Sequence, residues 1–181
     1  MNADQFAAVA FLQRWDAESV TRWSSHQEAV IRHKRARAFL LQQGLPRRSL
    51  LFEAAEPTGR TQIRRGQVCV LLGSYDEGEQ FFLDVERGQV LFGAEGFDDA
   101  FPVNATVEMF AQCLLVSERV YPYYSADAGP PAFLSVARRL EALLAAVDPA
   151  TYELVGSFWK TFVHDVSVGD FAVEDVDWWS P

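Results

Sequence analysis

Apolar positions recur with two periods along this chain, helical towards both ends and strand-like between them. From Asp4 to about Trp15, Phe6, Val9 and Ala10 fall at helical spacing with Leu12 beside them, which predicts a short amphipathic helix. Glu18 to Gln43 carries Val20, Trp23, Val30, Ile31, Phe39 and Leu40 and predicts a second helical region. Gly44-Leu45-Pro46 then stops it, because glycine closes a helix in the left-handed conformation and proline has no N–H with which to continue one.

Beyond that boundary the period shortens. Leu50–Phe52, Val68–Leu72, Gln80–Val85 and Gln89–Phe92 read as three or four strands. The loop Ser74-Tyr75-Asp76-Glu77-Gly78 and the turn at Arg87-Gly88 are short, so they suit antiparallel hairpins and leave no room for a parallel crossover. Helical spacing returns at Thr106, a capping residue, followed by Val107, Phe110, Ala111 and Leu114. A Tyr- and Pro-rich loop spans 121–131. After it, Phe133, Val136, Leu140, Leu143 and Val147 predict one helix face, ended by Asp148-Pro149. Tyr152 to Phe171 suggests a terminal helix followed by a strand. The expected architecture is a single α+β domain over 1–181: a helical region 1–43, an antiparallel β-meander 44–104, helices and a C-terminal region 105–171, and an acidic aromatic tail 172–181. Within the tail, Trp178 and Trp179 either dock on the domain or serve a partner.

A hydrophobic fraction of 49% with 14 Phe and 5 Trp is enough to fill one sizeable core. The net charge of −9 opposes general affinity for nucleic acid or anionic lipid and favours a basic partner. The charge is also divided: residues 1–65 hold 11 Lys+Arg and 6 Asp+Glu (+5), and residues 66–181 hold 5 and 19 (−14). Two cysteines, Cys69 and Cys113, lie in apolar runs and suggest neither a disulfide framework nor a metal site. With no secretory n-region at Met1–Trp15 and no long apolar run, the expected location is the cytoplasm.

Catalytic patterns are sparse. The chain has no Gly-rich phosphate loop with Lys, no Gly-x-Ser-x-Gly elbow and no His-Glu-x-x-His pair. His26, His33 and His164 read as surface or capping residues. A Cys113–His164 nucleophile pair would support a small hydrolase or transferase, but Cys113 sits on an apolar stripe that suits core packing better. The carboxylate pairs Asp98/Asp99 and Asp76/Glu77 fall in loops and read as solvated turns. Arg32-His33-Lys34-Arg35-Ala36-Arg37 reads as a solvated helix face that is also able to pair with the acidic half. No catalytic residue, metal or cofactor is expected.

The segment Phe101-Pro102-Val103-Asn104-Ala105-Thr106-Val107-Glu108-Met109-Phe110 resembles the signature by which SUKH immunity proteins pass from the last meander strand into a helix. Gly44-Leu45-Pro46, Leu72-Gly73, and Leu83-Asp84 followed by Gly88-Gln89-Val90 occur in the order of the fourth SUKH subgroup; Trp159 and Gly169 resemble its C-terminal pattern. The resemblance covers about 39–115, and 148–171 more faintly. It implies a bacterial cytosolic protein that holds a polymorphic toxin inactive without a cofactor. A nucleic-acid-directed toxin would present the basic surface that an acidic chain attracts. The expected partner-binding residues are Tyr75 as an aromatic anchor and Asp76, Glu77, Glu79, Glu95, Asp98 and Asp99 in two acidic loops, with the tail 174–179 as a possible helper. A regulatory or scaffold module on the same fold is the competing reading. Oligomeric state is left open.

Overall fold

The computed structural model describes residues 15, 18–76, 78–125 and 127–171. The N-terminal helix expected before Trp15, residue Glu77, and the tail 172–181 lie outside the described residues.

The expected helix over 18–43 is broken into pieces. Val20–Thr21 is a short strand, β1, a 3-10 turn covers Glu28–Val30, and only Lys34–Gln42 is α-helical, α1. The cause is local competition for the backbone. Gln27 Oε1 accepts from both the Ser24 amide and hydroxyl, 2.9 and 2.8 Å away, and fixes a turn in the polar run. Ile31 is extended, and the amides of Arg32 and His33 both donate to the Val85 carbonyl at 2.9 Å. The helix then starts afresh, capped by His33 Nδ1 accepting from the Ala36 amide. It ends as expected: Gly44 has φ +78°, its amide bonds the Phe39 carbonyl, and a Cβ there would strike the Thr21 carbonyl. Leu45–Pro46, β2, pairs with β1 across that close approach.

A seven-stranded antiparallel sheet follows, built from β3 (Arg48–Ser49), β4 (Phe52–Ala54), β5 (Thr61–Arg64), β6 (Gln67–Ser74), β7 (Glu79–Asp84), β8 (Val90–Ala94) and β9 (Phe101–Asn104). The spatial order is β3-β4-β6-β7-β8-β9, and β5 pairs with the other end of β6 on the side β4 occupies. Both expected hairpins form. At the β7–β8 turn the buried Asp84 accepts from the Glu86 and Arg87 amides at 2.8 and 2.9 Å, which explains a carboxylate at the end of an apolar strand. β5 and β9 were not distinguished by period, since Thr61–Arg64 alternates weakly and Phe101–Asn104 contains Pro102.

Alternation divides the sheet into two faces. Val70, Leu72, Phe81, Leu83, Val90 and Phe92 face the main core; Cys69, Phe82 and Leu91 face the other way with Ala100. Helices α2 (Val107–Val120), α3 (Pro130–Val147), α4 (Pro149–Tyr152) and α5 (Phe158–Val168) complete the main core. The Thr106 hydroxyl caps α2 by accepting from the Met109 amide, and Val107, Phe110, Ala111 and Leu114 are all buried. Phe110 meets Phe81 at 4.8 Å between ring centroids, and each such buried ring contributes about 2 kcal/mol by transfer from water. Along α3 the buried stripe is Ala137, Leu140 and Leu144, whereas Leu143 is 39% exposed: packing against both α2 and α5 turns the face by one position. The loop after α2 is intramolecular filling. Tyr123 donates to the Ser117 carbonyl, and Tyr124 packs tilted against Phe133 with ring centroids 4.3 Å apart. Gly169, at φ +96°, ends α5, and no strand follows among the described residues.

One buried polar network joins these layers. Asn104 Nδ2 donates to Asp148 Oδ2 at 3.1 Å and to the Cys113 sulfur at 3.5 Å, and Asn104 Oδ1 accepts from Trp159 Nε1 at 3.0 Å. Asp148 Oδ2 also accepts from the Ala105 amide at 2.7 Å, and its Oδ1 accepts from the Thr151 amide at 3.3 Å. Asn104→Leu keeps much of the volume but orphans the Trp159 donor and leaves the Asp148 carboxylate one partner short. It should lower stability by about 3 kcal/mol, read as a reduced urea midpoint by tryptophan fluorescence. An unchanged midpoint would show that the network is dispensable.

Candidate partner-binding face

The two loops expected to carry the partner contacts lie at one end of the sheet. Glu79 pairs with Ala94 at the ends of β7 and β8, so the loop before one strand adjoins the loop after the other. The Glu95 amide closes the junction by donating to the Gly78 carbonyl at 2.6 Å. Asp76, Glu95, Asp98 and Asp99 are exposed, and Glu79 is half-buried.

The second loop is held firmly from beneath. Arg64 is buried, its guanidinium lies 4.5 Å over the Phe82 ring, and Nη1 donates to the Phe97 carbonyl at 2.6 Å. The Arg65 amide donates to the Asp98 carbonyl at 2.8 Å. Gly93 lets the Asp99 carbonyl press against the sheet where any Cβ would collide. This bracing holds out Phe97, 66% exposed and set between Glu95 and Asp98, a side chain that sequence reasoning passed over. Its only signal in the chain was a large aromatic inside an acidic turn.

Tyr75, by contrast, is packed into its own chain. Its ring meets Phe158 edge-on at 5.7 Å, and burial pushes its phenol up, with Asp165, Glu79 and Asp76 acting in the same direction. It lies between two hollows. One, of about 90 Å³, is bounded by Arg48, Phe52, Glu53 and Asp76; the other, an open groove of about 210 Å³, runs between Glu79, Phe92, Phe101, Phe158 and Asp165. Burial, then Asp76, raises the Glu79 carboxyl; burial, then Asp170, raises that of Asp165, which His164 partly offsets.

The remaining chemical candidates do not converge. Cys113 is fully buried with its sulfur against Asn104, and burial drives its thiol upward, away from the thiolate that a nucleophile requires. His164 is exposed on α5, His26 is exposed, and His33 caps α1. Burial pushes the Cys69 thiol up to about 11, Asp84 adding to it and Arg64 opposing. No metal-holding cluster of His, Cys, Asp and Glu occurs among the described residues. The basic run pairs inside the molecule: Arg32 with Glu86 at 2.7 Å, Arg35 with Glu108 at 2.9 Å, and Arg37 with Glu28 at 3.8 Å. No helix among the described residues is long and apolar enough to cross a membrane.

A family model described as SUKH-4 immunity protein matches residues 10–165. The chain belongs to the SUKH-4 family. Neither a search of curated proteins nor a search of solved structures finds a match. Membership brings an immunity role with it, and the network around Asn104 shows what the Val-Asn and Trp positions do in this SUKH-4 chain: they join the last strand to α2, α4 and α5. The signature residues Asn104 and Trp159 are thus engaged inside the fold.

The raised Glu79 and Asp165 carboxyls make a pH-dependent prediction. The folded chain retains protons there that the unfolded chain releases, so ionising them costs stability as pH rises through the carboxylate range. Glu79→Gln with Asp165→Asn should raise the urea midpoint at pH 7, and the difference from the parent should shrink as pH falls below about 4. Equal midpoints at pH 7 would refute this.

Proposed function

We propose that this SUKH-4 chain neutralises a cognate protein toxin by covering a basic surface with the face formed by loops 74–79 and 95–99. The observation that carries the reading is the bond between the Glu95 amide and the Gly78 carbonyl, which gathers two acidic segments, distant in sequence, beside one exposed aromatic. Asp76, Glu77, Glu79, Glu95, Asp98 and Asp99 supply a negative field that speeds encounter with a positive cleft. Phe97 supplies the apolar anchor on which interface energy concentrates; Tyr75, half-buried against Phe158, acts from behind as a support. The bracing by Arg64 lowers the ordering cost of binding, since the loop is already held when the partner arrives. The toxin is expected to be a nuclease or another nucleic-acid-directed enzyme of a polymorphic system, met in the cytoplasm. Inhibition is steric, and the protein contributes no catalytic group.

Co-expression with the toxin domain encoded beside the gene tests this, scored as cell survival and co-purification. The parent chain should rescue growth and form a complex. Joint charge reversal at Asp76, Glu77, Asp98 and Asp99 should slow association by on the order of tenfold or more at low salt and flatten its salt dependence. Phe97→Ala should instead speed dissociation, costing about 2 kcal/mol. Failure of the parent chain to rescue would favour a regulatory partner, and unchanged kinetics in both variants would place the interface elsewhere.

A further inference from the structure

The groove beside Tyr75 is a different kind of feature from the exposed loops. Its lining is largely aromatic: Phe158 packs tilted against Phe92 with ring centroids 4.9 Å apart and meets Tyr75 edge-on, and Phe101 is 42% exposed. Two carboxylates, Glu79 from β7 and Asp165 from α5, line it. Neither makes an ion pair among the described residues. The nearest lysine along α5, Lys160, is engaged elsewhere, with Glu153 at 3.2 Å and over the Tyr152 ring. Among the described residues, His164 opposes the shift of Asp165, whereas Asp170 beside Asp165 and Asp76 beside Glu79 add further negative charge.

We propose that this groove is a socket for one arginine side chain of the bound partner, its stem lying over the Phe92–Phe158 floor and its guanidinium meeting Glu79 and Asp165. The proposal rests on the toxin-binding reading and deepens it by naming what the partner inserts. Size and chemistry support it together. The volume of about 210 Å³ is several times the roughly 30 Å³ share of a water molecule, yet below the range of about 300–1,000 Å³ typical of small-molecule pockets. Two carboxylates above aromatic rings suit a planar, multi-donor cation better than a compact ammonium, because guanidinium both stacks on rings and donates in a fork. Glu79 belongs to the acidic loop as well, so the socket is continuous with the proposed toxin-covering face.

The test uses the full chain and L-argininamide as the probe, followed by amide resonances in a titration. Saturable shifts should cluster at 75–79 and 156–165, with lysinamide binding more weakly. The double variant Glu79→Gln and Asp165→Asn should weaken argininamide binding by on the order of tenfold or more, since each charged hydrogen bond is worth about that factor. Thr161→Arg provides a second, independent block. Thr161 is exposed at the groove, and an arginine there stands four residues before Asp165 on the same helix, able to fill the socket from within. Shifts scattered over all acidic surfaces, or binding untouched by both variants, would overturn the socket. The two readings fail separately. Toxin rescue by the parent that is unaffected by either groove variant overturns the socket alone, whereas absence of rescue by the parent overturns the toxin reading and leaves the argininamide result to stand or fall by itself.

Discussion

Asn104 holds this fold together at the point where sheet and helices have to agree. Its side-chain amide has a donor side, which serves Asp148 and Cys113, and an acceptor side, which takes the Trp159 indole. A buried amide bonded on one side only would cost more than an apolar residue in the same place, so the benefit depends on every partner arriving. The end of the meander, the start of α2, the α3–α4 junction and the first turn of α5 are thereby fixed relative to one another. Asp148 completes the arrangement, because it also accepts from the Ala105 and Thr151 amides and so caps the N-terminus of α4 while facing Asn104.

The position of α5 decides the shape of the groove beside Tyr75. With Trp159 drawn to Asn104, Phe158 is set against Phe81, Phe92 and Tyr75, and Asp165, two turns along the helix, lines the groove with Glu79. The polar network in the core thus acts at the surface through a chain of rings. On the opposite face of the sheet a different device does the same for loop 95–99. Arg64 spreads its guanidinium over Phe82 and holds the Phe97 carbonyl, so a cation from the basic part of the chain braces a loop of the acidic part through its backbone. Both devices hold surface elements through contacts made beneath them, the groove by way of α5 and loop 95–99 by way of Arg64.

Much of this was legible along the chain wherever a local rule was strong. Thr106 and the stripe Val107, Phe110, Ala111 and Leu114 describe α2 correctly, because capping and helical period act within a few residues. Gly44 and the two hairpin turns were equally plain. The expected helix over 18–43 failed because the Ser24–Gln27 turn and the two amides bonding Val85 outweigh an apolar spacing that helix and extended chain can share. Leu143 was assigned to the core, but period alone does not fix which way a helix rolls between two neighbours. Among the candidate partner residues, Asp76, Glu95, Asp98 and Asp99 are exposed, as loop position suggests, and Glu79 is half-buried. Tyr75, expected as an anchor, is half-buried edge-on against Phe158, whereas Phe97 in the second loop is 66% exposed.

By itself the sequence determined the α+β class, the antiparallel hairpins, the acidic half and the family to which the chain belongs, since each is written in short-range pattern, composition or motif. Only the tertiary structure decided that Glu95 meets Gly78, that Arg64 braces Phe97 and that Asp165 joins Glu79, because each of those contacts joins residues from elements far apart in sequence. Such pairings depend on strand register and on how α5 seats against the sheet, and both are set by the packing of the whole core.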